Sequence, residues 1–167
     1  MILTLILVLT ACSAPAPIGR TGYRDAGQTI ASAALFDPAR FAGVWQIVAA
    51  YGPEAGCGPL AETWVAVSAA AYRITGARCG PHGARAFATD AAVTGPGRLV
   101  RQGRAGREEL WVLWVDADYR VAVIGTPSGS FARILARTPT LRPDLLQAAR
   151  QVLDFNGYDI SQLKPVG

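Results

Sequence analysis

The stretch FDPARFAGVWQIVAAYG, Phe36 to Gly52, decides how the rest of the chain is read. It opens like a short helical turn, with Asp37 placed to cap free backbone N–H groups and Pro38 suited to the first helical position. After Gly43 the pattern changes to a strand that begins on a bulky indole, Trp45. Alternation along that strand puts Trp45, Ile47, Ala49 and Tyr51 on one face. An indole so early in a strand needs an enclosed space to enter, and the surrounding sequence must supply it.

Working outward, strands are expected over 44–51, 61–67, 71–78, 84–93, 98–102, 109–116, 120–125 and 131–137. Between them lie GPEAGCGP, GPHG, TGPG, GRAG, DADY and TPSGS, each rich in turn-forming residues. Eight short strands at regular spacing fit a sandwich or a barrel. A helix is expected after them, from Pro143 to a stop at Asn156-Gly157, with Leu145, Ala148, Ala149 and Val152 as its apolar stripe. One helix cannot form a layer alone, so it is expected on the outside of a closed sheet.

Composition agrees. The chain has 167 residues, 51% of them apolar, with 18 glycines and 11 prolines, which suits many strands joined by tight turns. The net charge of +4 is carried almost wholly by arginine, and no dense basic stripe with interleaved aromatics appears. Nucleic acid is therefore excluded as an expected partner.

The N-terminal MILTLILVLTAC is too short an apolar run to span a hydrocarbon core about 30 Å thick, and fits the apolar region of an export signal. Leu9-Thr10-Ala11-Cys12 resembles the lipobox of bacterial lipoproteins, although no Lys or Arg precedes the apolar run. The resemblance implies a signal peptide over 1–11, a lipidated Cys12, and a location on the periplasmic face of the outer membrane. Residues 12–34, rich in Pro, Gly, Ala and Ser, read as a flexible tether, with Tyr23 and Ile30 the points most apt to pack. The domain is expected over 35–167.

Lipid on Cys12 leaves Cys57 and Cys79 as a pair in an oxidising compartment. They are equidistant in sequence from Ser68, the proposed turn of an antiparallel hairpin in which Trp64 would face Tyr72. A disulfide between the two cysteines follows. Metal binding lacks ligands, since His82 is the sole histidine.

Three signatures resemble those of the lipocalins, and most of all the bacterial lipoprotein lipocalins related to apolipoprotein D. Gly43-Val44-Trp45 resembles the first motif, Asp116-Ala117-Asp118-Tyr119 the second, and Arg137 in ILARTPTL the third. The resemblance runs from about Phe36 to Leu163. It implies an all-β fold, an eight-stranded antiparallel up-and-down calycin β-barrel with the C-terminal α-helix packed outside. Trp45 would plug the narrow end under Arg137, and Gly43, Trp45, Asp116, Tyr119 and Arg137 would specify the fold.

The family would also imply a ligand in the barrel. The residues expected to line it are Ile47, Ala49, Tyr51, Trp64, Ala66, Tyr72, Ile74 and Phe87, with one of Trp111 and Trp114 facing outward. Arg133 shares its face with Leu135 and Arg137; it would either pair with a ligand carboxylate or phosphate or lie solvated on the rim. Arg98, Arg101, Arg104 and Arg107 form a basic hairpin, either a solvated loop or a contact for anionic lipid. No catalytic residues, cofactor or metal are expected. The expected function is a membrane-anchored lipocalin that binds a hydrophobic small molecule, a fatty acid or lysophospholipid, for transport, storage or envelope maintenance. The alternative is a filled barrel that binds an envelope protein.

Overall fold

The computed structural model describes residues 22–80, 82–103 and 106–167. The signal segment, Cys12 and Arg104 lie outside these residues. A short helix, α1 (Pro38–Phe41), leads into β1 (Gly43–Ala50). Seven strands follow: β2 (Leu60–Ser68), β3 (Ala71–Gly80), β4 (Gly83–Gly95), β5 (Arg98–Gly103), β6 (Gly106–Val115), β7 (Val121–Gly125) and β8 (Ala132–Ala136). Each pairs antiparallel with the next, and β1 closes the ring by pairing with both β8 and β2. Helix α2 (Pro143–Phe155) packs outside, and β9 (Lys164–Pro165) adds to β1. Closure removes the unpaired edges that an open eight-stranded sheet would expose.

The closed end is assembled by the residues expected to specify the fold. Asp37 accepts hydrogen bonds from the Ala39 and Arg40 amides and so starts α1. That turn delivers Phe41 into the barrel, where its ring lies 4.9 Å from Trp45 and 5.0 Å from Trp64. Burying Phe41 completely contributes about 1.5–3 kcal/mol. The Trp45 indole donates to the Phe41 carbonyl at 2.8 Å. Arg137 lies 3.7 Å over the Trp45 ring and donates to the carbonyls of Tyr119, Arg40, Phe41, Ala42 and Val44. Asp116 accepts from the Arg120 and Val121 amides, which closes the β6–β7 turn where Tyr119 takes a positive φ of 56°.

Two cores result. Inside the barrel, Trp45, Ile47, Trp64, Tyr72, Ile74 and Leu135 pack together. On the outer face, Val121, Val123, Ala132 and Ile134 meet Ala149 and Leu153 of α2. The helix stripe is therefore centred on Ala149 and Leu153, with Leu145 and Val152 partly buried beside them.

Strand alternation fails at two bulges. The β1–β8 register slips between Ile47 and Ala49, so Ala50 turns inward while Ala49 and Tyr51 join the outer core. Their expected lumen positions are corrected accordingly. The β6–β7 register slips between Val112 and Trp114, and both Trp111 and Trp114 pack on the outer core. Neither faces the lumen.

The β2–β3 hairpin also differs in register: Trp64 faces Ile74, and Ala66 faces Tyr72. The tip of β2 runs past the barrel floor, leaving Ala66 exposed rather than lining the lumen. The disulfide joins Cys57 and Cys79 with Cα atoms 5.5 Å apart.

The segment expected as a tether is fastened from Gly22 onward. Tyr23 donates its amide to the Gly129 carbonyl at 2.8 Å, and Ala33 donates to Val112 at 2.8 Å. Arg24 is 3% exposed and donates to the carbonyls of Asn156, Pro127 and Gln28. The expected boundary at 34 thus moves back, and residues 22–34 belong to the packed domain.

Candidate ligand site at the barrel mouth

Follow the lumen-facing residues upward from the floor. On β2 the inward series runs Trp64, Glu62; on β3 Ile74, Gly76, Arg78; on β5 Leu99, Arg101; on β6 Leu110, Glu108; on β8 Leu135, Arg133. Each strand passes from apolar to polar over two to four residues, so the lumen is layered: an aromatic floor, then a layer of ion pairs, then an open mouth.

The floor is filled by side chains. Trp45, Trp64, Tyr72 and Ile74 are each at most 1% exposed and touch one another, as in the 5.4 Å Trp64–Tyr72 ring pair. The structure therefore brings together four of the expected lining residues, Ile47, Trp64, Tyr72 and Ile74, as packing. Phe87 is half-buried higher up, beneath the Arg78 guanidinium at 4.4 Å.

Arg133 belongs to the ion layer and is neither solvated nor free. Its guanidinium grips Glu54 with two donors, one of them at 2.6 Å, and reaches Glu62 with a third. Glu62 in turn accepts from the Trp64 indole at 3.2 Å. Arg133 is 4% exposed, Glu62 1% and Glu54 8%. Burial works against the Arg133 charge, but the carboxylates of Glu62 and Glu54 outweigh it and hold its pKa above the ordinary arginine value. Glu54 arrives on a short 3₁₀ turn, Gly52–Gly56, next to the disulfide-bonded Cys57. Sequence reasoning missed both glutamates, although Glu62 shares inward parity with Trp64.

Above this layer a cavity of about 410 Å³ opens to solvent, lined by Arg78, Thr89, Arg101, Glu108, Ser130 and Phe131. Arg101 pairs with Glu108 at 2.9 Å. Phe131 carries two guanidiniums, Arg133 at 4.5 Å and Arg101 at 5.2 Å. The mouth is thus cationic and aromatic together. A smaller recess of about 210 Å³ adjoins it, lined by Tyr23, Tyr51, Glu54, Arg78 and Cys79. Tyr51 is stacked between Tyr23 at 5.0 Å and Tyr158 at 5.6 Å, and its hydroxyl has no hydrogen-bond partner among the described residues. Burial pushes its pKa well up, so the hydroxyl stays a neutral donor.

The basic hairpin divides. Arg98 stacks on Trp111 outside the barrel at 4.5 Å, Arg101 enters the lumen, and Arg107 is exposed. Among the described residues no cluster of His, Cys, Asp and Glu could hold a metal ion, and no helix is long and apolar enough to cross a membrane.

An eight-stranded up-and-down barrel with one outer helix is the calycin fold of the lipocalins. Residues 90–167 match the family model of a lipocalin-like domain. Temperature-induced lipocalin-1 of Arabidopsis thaliana is 40% identical over 55 residues, covering 33% of this chain and 30% of that protein. Among solved structures, the siderocalin Ex-FABP superposes with a TM-score of 0.58 at 20% identity, over 76% of this chain and 93% of that one. Lobster apocrustacyanin A1 superposes with a TM-score of 0.61 at 14% identity, over 77% of each chain. These structural likenesses concern the fold.

Proposed function

We propose that the protein is a membrane-anchored lipocalin of the bacterial outer-membrane lipoprotein type. It binds an amphiphilic small molecule, a fatty acid or lysophospholipid, and serves lipid transport or envelope maintenance rather than catalysis. The supporting observation is the 410 Å³ mouth, which falls in the ~300–1,000 Å³ range of small-molecule sites and combines guanidiniums with aromatic faces. Arg78 and Arg101 would take the anionic headgroup and Phe131 the first methylenes of the tail. Lipid on Cys12 would hold the protein at the periplasmic face of the outer membrane. The filled floor favours a second reading, a barrel that presents its surface to an envelope protein.

The test is native mass spectrometry with lipid extraction on residues 22–167, together with displacement of a fluorescent fatty acid. A co-purified amphiphile, lost in a folded Thr89→Trp variant whose indole fills the mouth, supports the carrier reading. An empty protein that also leaves the probe in water eliminates it.

A further inference from the structure

The described chain begins at the mouth. Gly22 lies so close to the β7–β8 turn that a Cβ there would sit 2.5 Å from the Gly129 carbonyl oxygen. Tyr23 then stacks on Tyr51 beside the mouth's side recess. Nine residues, 13–21, separate Gly22 from Cys12, so the two are joined by ten Cα–Cα steps that reach about 35 Å at full stretch. The closed end is a barrel height away: the ten residues of β3 run about 30 Å along the strand, or about 23 Å along an axis from which barrel strands tilt by about 35–45°. A protein anchored through Cys12 can rest its mouth on the membrane at any tether extension. To rest its closed end there, those ten steps must span at least about two-thirds of their reach.

The mouth also presents exposed arginines to such a surface. At the rim, Arg78 and Arg85 are register partners on the lumen side of β3 and β4, and the next lumen-side pair is Arg101 with Glu108. Arg107 and Glu109 are exposed just outside, with His82 at the β3–β4 turn. Glu54, Glu62 and Arg133 carry one net negative charge, but lie beneath this rim and are buried. The outer rim is therefore cationic. At the closed end Arg120 pairs with Asp116 and Asp118 and Arg142 with Asp144, while Arg137 is committed to backbone carbonyls over Trp45 and Arg40 stacks on the Tyr119 ring.

We propose that the mouth is the membrane-docking face, held against an anionic phospholipid leaflet by the tether and by the rim arginines Arg85 and Arg107. The inference rests on the lipidated-Cys12 reading. Its consequence is that an amphiphile passes between bilayer and cavity without crossing bulk water.

The experiment uses the full lipidated chain on vesicles of phosphatidylethanolamine with phosphatidylglycerol, and on vesicles of phosphatidylcholine alone. A photo-crosslinking residue replaces His82 at the mouth or Thr140 in the exposed loop at the closed end. The expected result is lipid adduct from position 82 well above that from 140. On the phosphatidylglycerol vesicles, Arg85→Glu with Arg107→Glu should cut the position-82 adduct by about fivefold or more, from the usual contribution of a basic residue near an anionic surface. Equal adducts from the two positions, or more from 140, in protein that still floats with the vesicles would overturn the orientation while leaving the anchor intact. An unchanged adduct in the doubly reversed variant would overturn docking on anionic lipid. Protein that does not float would remove the anchor and this inference together, without touching the ligand binding measured on residues 22–167.

Discussion

Replacing Arg133 by Met strands two carboxylates inside the barrel. Glu62 is 1% exposed and Glu54 8%, and the guanidinium supplies three charge-assisted hydrogen bonds between them. Removing one partner of a buried ion cluster costs about 3–5 kcal/mol, because the remaining charge cannot recover its water. For a domain of this size that cost lowers the thermal midpoint by roughly 10–20 °C. Urea unfolding followed by tryptophan fluorescence is a suitable assay, since the Trp64 indole donates to Glu62 and reports on the cluster directly. The control is the triple variant Arg133→Met, Glu54→Gln, Glu62→Gln. It removes all the charge and should recover at least half the loss, since replacing a whole buried ion cluster is often nearly neutral. Arg133→Lys should fall between, keeping the charge and losing the two-pronged grip on Glu54. A single variant that costs less than about 1 kcal/mol, or a triple no more stable than the single, would refute the reasoning.

Arg137→Ala removes a stack on Trp45, about 0.5–2 kcal/mol, and charged donors to five carbonyls; a loss near 3 kcal/mol is expected by denaturant unfolding, with Arg137→Lys restoring less than half. Burial works against the Asp116 charge, yet hydrogen bonds from the Val121 amide and from Arg120 hold its pKa below the usual carboxylate value. Its contribution is therefore complete above the unfolded value of about 3.9 and lost as pH falls toward the lower folded value. An Asp116→Asn variant should lose less stability than the parent between pH 4 and pH 2, roughly that window, in acid titrations followed by circular dichroism. Reducing the Cys57–Cys79 bridge, whose closed loop spans a sequence separation of 22, should cost about 3 kcal/mol of unfolding free energy. It should also loosen the turn that carries Glu54, read as faster amide exchange at Gly52–Gly56.

Periodicity and turn chemistry made the eight strands, the barrel and the outer helix legible, because side-chain alternation and Gly/Pro punctuation are local properties. The bulges were not legible. Val48 and Leu113 are ordinary strand formers, and nothing in their identity marks them as the residue at which a strand changes faces. That single step moved Ala49, Tyr51 and one tryptophan from the expected lumen to the outer core. Glu54 and Glu62 were overlooked because charged residues are read as surface, although a carboxylate at the inward parity of Trp64 was a usable signal. Arg24 could not be placed from sequence: its carbonyl acceptors at Asn156 and Pro127 lie 132 and 103 residues away, and backbone acceptors carry no sequence signature.

The fastening of residues 22–34 has a topological consequence. Arg24 bridges to Tyr158 beside the opening, whereas β9 pairs antiparallel with the last residues of β1, so residues 164–167 run back down the outer wall away from the opening. A fusion partner joined ahead of Gly22 therefore stands beside the opening, whereas one joined after Gly167 or inserted at Thr140 leaves it clear.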